Sequence, residues 1–470
     1  MRAETRPSFI ASAANRSTRT PGIQMSLTQT ESPDNSGLSL KGLTRPLLRS
    51  LVAVLVGSLI LRLAAQAMGQ MVQFYFVEIN NNHYPISHTA RGLVTASFFA
   101  TELLGSPVLG AISDRYGRRL FIILGPLFGA IAVMLTSVTV VLWVLVITRL
   151  LEGLSTASAI PATLGYISEA TAGRPALRAR VVGLFEVTLV GGIVIGAVVG
   201  GKLWQYFGTP RVVAGVNVIS PAFAFDALIY MASLAVFVWG LRDINQHRRE
   251  ASAGESKFEH YKRILKSPSV WRFVPAWIAI NSIIGMWINN SIGLLTGAEH
   301  FPGQLLTGNV NPEKFGYGFA MLGVFFAVGV LVWSFALGRY RRTSVMLVAT
   351  TGLFTTLIAV YGINHLDSFT SPLYYPLLGS LIISLLVLSG FTPAALTYLA
   401  DVTESHTEDR GSIMGLYSVF LGVGQLIGVG TGGTFADWAG IDGLLLLSAI
   451  FGAVTTYSLF TLRRQPAATK

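Results

Sequence analysis

The 470-residue chain contains no cysteine, which excludes disulfides, thiol catalysis and Cys-based metal sites. Charge is scarce as well: 12% of residues are Asp, Glu, Lys or Arg, about half the ~25% usual in soluble proteins. The histidines, His83, His88, His247, His260, His300, His365 and His406, are scattered and form no HExxH or comparable metal pattern. No GxxxxGK[ST] phosphate loop is present, which weighs against ATP-driven pumping. No sizeable soluble stretch is left over for an enzyme or receptor domain. What remains is apolar: 52% of residues are hydrophobic, mean hydropathy is +0.58, and glycine is plentiful at 49.

Apolar segments of about 20 residues, each long enough to cross ~30 Å of hydrocarbon, recur from Leu51 onward. Their centres fall near Leu61, Ala100, Ile131, Gly153, Val190 and Met231, then near Ile283, Phe326, Phe354, Leu386, Val423 and Ile450. This predicts an all-α polytopic membrane protein with twelve transmembrane helices in two six-helix halves. The expected divisions are a disordered tail over 1–46, a bundle over 47–241, a polar linker over 242–269, a second bundle over 270–464 and a short tail over 465–470. The linker is expected to carry an amphipathic surface helix around Phe258 to Leu265. The first tail, with Arg2, Arg6, Arg16 and Arg19, faintly resembles an organelle transit peptide; a solvated tail, or a start at Met25, fits it better.

The net charge of +11 could suggest nucleic acid, but its placement says otherwise. With both termini inside, only Arg91, Lys202, Arg211 and Lys314 lie on the outer side, and Arg62 and Arg149 fall within spans. The other Lys and Arg residues all lie on the inner side. Such a bias sets both termini in the cytoplasm, with the cell membrane as the expected location and no nucleic acid as partner.

The stretch Gly110 to Arg119 turns the chain between two apolar runs and carries four charges, Asp114, Arg115, Arg118 and Arg119, that hydrocarbon would not accept. Its glycines suit a close helix approach at one end and a tight turn at the other. A second motif recurs: Pro161-Ala162-Thr163-Leu164-Gly165-Tyr166-Ile167-Ser168-Glu169 returns as Pro393-Ala394-Ala395-Leu396-Thr397-Tyr398-Leu399-Ala400-Asp401. The same offset pairs Arg178 with Arg410, Gly183 with Gly415, Gly192 with Gly424, Gly196 with Gly428, Gly200 with Gly432 and Gly201 with Gly433. The two halves are therefore related by duplication. The counterpart of Gly110 to Arg119 ends Gly338-Arg339-Tyr340-Arg341-Arg342, with Gly338 where the first half has Asp114.

On these motifs the chain resembles the major facilitator superfamily, from Leu51 to about Arg464. Gly110, Asp114, Arg115, Gly117 and Arg118 match the spacing of that family's signature between helices two and three. Arg149-Leu150-Leu151-Glu152-Gly153 is similar to its fourth-helix motif, with Glu152 where Gln is commoner. Gly183, Gly192, Gly196, Gly200 and Gly201 match the fifth-helix motif of its drug/proton antiporters, with Ala197 where that motif has proline. The resemblance implies two bundles rocking about a central substrate site. It also implies a cytoplasmic latch of Gly110, Asp114, Arg115, Gly117 and Arg118, with Glu169 and Arg178 completing the cluster. Asp114 would face the start of helix eleven near Gly411, whose N-terminal dipole attracts a carboxylate.

Ionisable residues within or near spans concentrate in the first half: Arg62, Glu102, Arg149, Glu152, Glu186 and Asp226. Arg62 and Glu102 each lie ~18–20 Å from the inner face at 1.5 Å per residue, on neighbouring helices, so a pair is expected. Arg149 and Glu152 share one helix face. Burial favours a neutral carboxyl and an adjacent arginine favours its anion. Glu102 and Glu152, beside Arg62 and Arg149, are thus the candidate proton-coupling residues; ion pairs that only fix packing are the alternative. Asp226 is expected near the outer water interface, in a structural role. The second half offers Trp277, Asn281, Trp287 and Asn289 for stacking and hydrogen bonding in a substrate cavity, or simply for helix packing. The expectation is a monomeric, non-enzymatic secondary transporter driven by a proton gradient without a cofactor, exporting amphipathic organic compounds. An importer or facilitator of a sugar, organic acid or other metabolite is the alternative, favoured by Ala197.

Overall fold

The computed structural model describes residues 45–172, 174–213, 216–242, 268–297, 299–337, 339–403 and 410–463. The linker helix expected at 258–265 and most of both tails lie outside them. The first half runs α1 (Arg45–Asn82), α2 (His88–Tyr116), α3 (Arg118–Ser137), α4 (Leu142–Ala170), α5 (Pro175–Phe207) and α6 (Pro221–Gly240). The second runs α7 (Pro268–Thr296), α8 (Pro312–Ala336), α9 (Arg342–Asn364), α10 (Tyr374–Leu388), α11 (Phe391–Thr403) and α12 (Arg410–Arg463). A two-strand ribbon, β1 (Arg211–Val213) against antiparallel β2 (Val216–Val218), is the one departure from helix and loop among the described residues.

Among the described residues eleven helical stretches are long and apolar enough to cross a membrane, and the last of them, Val419–Arg463, holds 45 residues. That is twice what a bilayer needs. The stretch is broken at Ala439 and Gly440, where Gly440 takes φ 59°, a conformation open chiefly to glycine. Gln304 satisfies the backbone groups freed by the break: its amide donates to Ala439 O at 2.9 Å and its oxygen accepts from Ile441 N at 2.9 Å. Divided there, the chain makes the twelve crossings expected from hydropathy. The opposite case is α10 and α11, which form one crossing, Tyr374–Leu399, interrupted at Ser389 and Gly390. The freed Leu386 carbonyl accepts from Trp333 Nε1 at 2.9 Å and from Ser389 Oγ at 2.7 Å. Hydrocarbon cannot supply such partners, so side chains must.

Helix starts follow sequence cues. Ser87 caps α2 by accepting from Ala90 N, and Asn311 caps α8 by accepting from Lys314 N at 2.7 Å, with Pro312 next. Within the first half α1 packs on α5 and α6, α2 on α4, and α3 on α4 and α6. In the second, α12 packs along α7 and α9 against α10. The halves meet through α2 with α12, α5 with α8, and α1 with α7.

The repeated glycines show why the halves look alike. A Cβ on Gly192, Gly196 or Gly200 of α5 would strike α1 at Leu59, Leu63 or Ala67; one on Gly424, Gly428 or Gly432 of α12 would strike α7 at Ile278, Ser282 or Met286. The last pair crosses between halves: Gly201 abuts Pro312 and Gly316 of α8, and Gly433 abuts His88 and Thr89 of α2. Small residues let backbones approach where lipid supplies no hydrophobic drive. Apolar side chains such as Phe335 and Ile358 are left exposed on the periphery, as a lipid-facing surface requires.

Candidate functional site

Three groups of polar residues lie at the two ends and the middle of the bundle. At the arginine-rich end, Gly110 to Tyr116 is the last part of α2 and not a loop; the turn narrows to Gly117, at φ 102°. A Cβ on Gly110 would meet Pro161 of α4 at 3.4 Å, so this glycine sits where α2 and α4 approach. Arg118 is the hub: it pairs with Asp114 at 2.8 Å and with Glu169 at 2.5 Å. Gly165 makes room, because its missing side chain leaves the space that the Arg118 guanidinium fills. Arg178 donates to Ser168 O at 3.1 Å, and Arg115 is exposed. In the second half Thr397 replaces Gly165 and Gly338 replaces Asp114; Arg342 there donates to the carbonyls of Leu337 and Tyr340. The contact of Asp114 with the start of helix eleven falls on side chains outside the described residues.

In the middle, Arg149 and Glu152 of α4 form an ion pair, with side chains 3% and 2% exposed. Arg62 of α1 lies within electrostatic reach of Glu102, Glu152 and Glu186. The expected direct Arg62–Glu102 pair is not formed within 4.0 Å; the guanidinium serves several carboxylates at once, and its Nε has no hydrogen-bond partner among the described residues. Arg62 lines a small cleft between α1, α4 and α5. Ser58, Thr156 and Thr163 add polar groups to it, and Leu61, Ala159, Ile160 and Phe185 an apolar wall. Asp226, expected near the outer water, is instead completely buried, within reach of Arg149 and Glu152. It starts α6 only five residues in, but α3 and α1 cover that turn of helix.

The second-half aromatics and amides are largely engaged with other helices. Trp277, 2% exposed, lies between the rings of Phe273 and Phe391. Asn281 is buried and donates to Trp277 O at 2.8 Å; Trp287 Nε1 donates to Ser448 Oγ at 2.8 Å. Asn289 donates back to Gly285 O at 2.8 Å and, like Trp287, is only partly buried. Trp277 and Asn281 are thereby placed in packed core, away from the cleft around Arg62.

The opposite end holds a cluster that sequence reasoning missed. Glu299, in the loop after α7, accepts from His88 Nε2 at 3.0 Å, Arg91 Nη2 at 3.2 Å and Asn80 Nδ2 at 3.2 Å. Asp437 of α12 accepts from His88 N at 2.6 Å, Thr89 N at 2.8 Å and Thr89 Oγ1 at 2.5 Å. A carboxylate here meets the orphan N–H groups and positive end of α2. Every one of these bonds joins one half to the other. The Glu299 carboxyl is held below the usual carboxylate range, first by the His88 hydrogen bond; partial burial opposes this, and the charges of His88 and Arg91 reinforce it. The loop itself is folded, with Leu305 N on Asn364 O at 2.6 Å and Gly308 N on Leu294 O at 2.9 Å. No cluster of possible metal ligands occurs among the described residues.

Residues 54–308 and 301–470 match the sequence model of the Major Facilitator Superfamily. The chain belongs to that superfamily. It is a multi-pass membrane transporter, built on a fold that the family uses for small-molecule transport. It is similar to the Multidrug resistance protein 1 of Bacillus subtilis (strain 168), 24% identical over 371 residues, or 76% of this chain and 83% of that one. Among solved structures, the nucleoside transporter NupG superposes with a TM-score of 0.66 at 11% identity, covering 90% of this chain and 100% of that one. A bacterial homolog of the human lysosomal transporter Spinster gives 0.68 at 14% identity, covering 90% and 98%. These superfamily structures share the fold, and their low identities carry no more than that.

Proposed function

We propose that this protein is a proton-coupled exporter of amphipathic organic compounds, working by alternating access in the cell membrane with both termini in the cytoplasm. The observation that carries this reading is the mid-bundle cleft. There Arg62 stands beside an apolar wall of Leu61, Ala159, Ile160 and Phe185, and the carboxylates Glu102 and Glu152 lie behind it within its electrostatic reach. An amphipathic cargo fits the apolar wall, and a cationic group on it competes with Arg62 and with a proton for the same carboxylates. Binding on one side of the membrane and release on the other then follow from which of the two occupies the acid.

The moving bodies are the bundles 47–241 and 270–464. Among the described residues the bonds through Glu299 and Asp437 tie the halves at the outer end, while the ion pairs at the arginine-rich end stay within the first half. This favours a state open to the cytoplasm. Asp114, Arg115, Arg118, Glu169 and Arg178, turned on Gly110 and Gly117, would close that side in the other half of the cycle. Trp287 and Asn289 are the second-half residues best placed to contact cargo. The likeness to a protein called a multidrug resistance protein supports export. One observation favours the second reading, an importer or facilitator of a metabolite: α5 runs unbroken through Ala197, which is buried with its carbonyl against Gly316, where the antiporter-like proline would kink it.

Accumulation of a fluorescent cationic dye such as ethidium in cells expressing the protein separates them. Export lowers accumulation and a protonophore restores it; uptake that rises with expression would overturn the exporter reading.

A further inference from the structure

Asp226 and Tyr230 lie four residues apart on α6, on one helix face, and both are fully buried. Neither carboxylate oxygen of Asp226 has a hydrogen-bond partner among the described residues, and nor does the Tyr230 hydroxyl. Tyr230 is wedged in place, its ring filling the space beside Gly129 of α3. The charges that face Asp226 are Glu152 and Arg149 of α4; Tyr230 faces these and Arg62 of α1. Arg62 itself is shared with Glu102 of α2 and Glu186 of α5. Arg149 Nε is also without a hydrogen-bond partner among the described residues. One buried guanidinium thus stands among two buried carboxyl groups, and it pairs with only one of them. An ionised carboxylate sealed from water without a partner costs several kcal/mol, whereas a proton removes that cost.

We propose that Arg149, Glu152 and Asp226 form a charge triad that stores one proton, held on Asp226 while Arg149 pairs with Glu152 and on Glu152 when Arg149 turns to Asp226. The exchange is balanced. The O–H bond of Asp226 breaks and one forms on Glu152, as the guanidinium moves the opposite way and the net charge of the triad stays zero. As Arg149 turns, the Tyr230 hydroxyl, unpaired in the present arrangement, comes within hydrogen-bond reach of both acids and serves as relay, accepting the Asp226 proton while giving its own to Glu152. Glu152 then offers the proton to the cleft. Asp226 is a positioning and storage residue that never touches cargo. This rests on the proton-coupling reading above, but its test does not need transport.

The test is infrared spectroscopy of the purified full-length protein at neutral pH, reading the C=O stretch of buried protonated carboxyl groups. Asp226→Asn should remove one component of that band. Glu152→Gln should remove the same component, because Arg149 then pairs with Asp226 and the triad no longer requires a proton. Tyr230→Phe should keep the component and slow its exchange in deuterated buffer. If Asp226→Asn misfolds, Glu152→Gln still decides. A band that survives either acid substitution in folded protein overturns the triad. In ethidium transport, Asp226→Asn should move the pH midpoint down by about one to three units, since Glu152 then keeps Arg149 permanently; an unmoved midpoint counts against storage. A triad band present together with transport indifferent to proton gradients would sink the coupling reading and leave the proton store standing.

Discussion

Removing the charge of Glu299 should open the outer end of the transporter. Glu299→Gln keeps the size of the side chain but leaves Arg91, whose side chain is 4% exposed, without its carboxylate. Hydrogen bonds to charged groups contribute roughly 1.5–3 kcal/mol each. The Glu299 side chain is 40% exposed, so solvent screens part of that. The net loss to the closed state is about 1–3 kcal/mol, a shift of about 5- to 150-fold toward opening. The chain has no cysteine, so Asn81→Cys and Pro302→Cys, one in each half at this end, can be spin-labelled alone and their separation measured by double electron–electron resonance. The substitution should populate longer separations, and Asp437→Asn should do the same by uncapping α2. Unchanged distance distributions in both variants would refute the latch. Acid should mimic Glu299→Gln. The Glu299 carboxyl is depressed in the closed state, so its contribution is complete above the ordinary carboxylate range. It is lost only as pH falls below about 4.

Asp114→Asn removes a half-exposed partner of Arg118 and should change stability by under about 1 kcal/mol while transport slows. Normal dye transport in that variant would reduce the cluster to an ordinary charged helix end. Gly428→Val places side-chain atoms into the backbone of Ser282 and should destabilise by roughly 1–3 kcal/mol in thermal unfolding. Gly430→Ala, with nothing within 4 Å of its added Cβ, should be neutral, and equal effects of the two would contradict the close-packing account of the glycine rows.

Hydropathy and the repeat made the architecture legible because each signal is local: an apolar run for each crossing, and glycines at helical spacing for each close approach. The final helical stretch shows where local signals still sufficed, since a predominantly apolar run of 45 residues exceeds one crossing whatever the backbone does. The middle site was legible in part. Arg149 and Glu152 are a turn apart on one helix, so spacing alone paired them, whereas Asp226 is brought to them by the packing of α6 on α3, which no spacing encodes. The cluster around Glu299 was invisible for the same reason, as Glu299 and His88 are far apart in the chain. A signal did exist. Arg91 was among the few basic residues on the sparsely charged side, and a buried arginine demands an acid. Trp277 was left between two readings because an aromatic within a span suits a cavity and a core equally well until its neighbours are known.

The most direct test of proton-coupled transport through the first-half carboxylates is ethidium movement in proteoliposomes under an imposed pH gradient, comparing the natural protein with Glu102→Gln and Glu152→Gln. The expected result is gradient-driven movement in the natural protein and its loss in both variants, with the folded fraction unchanged. Gradient-driven movement at the natural rate in both variants would contradict the account.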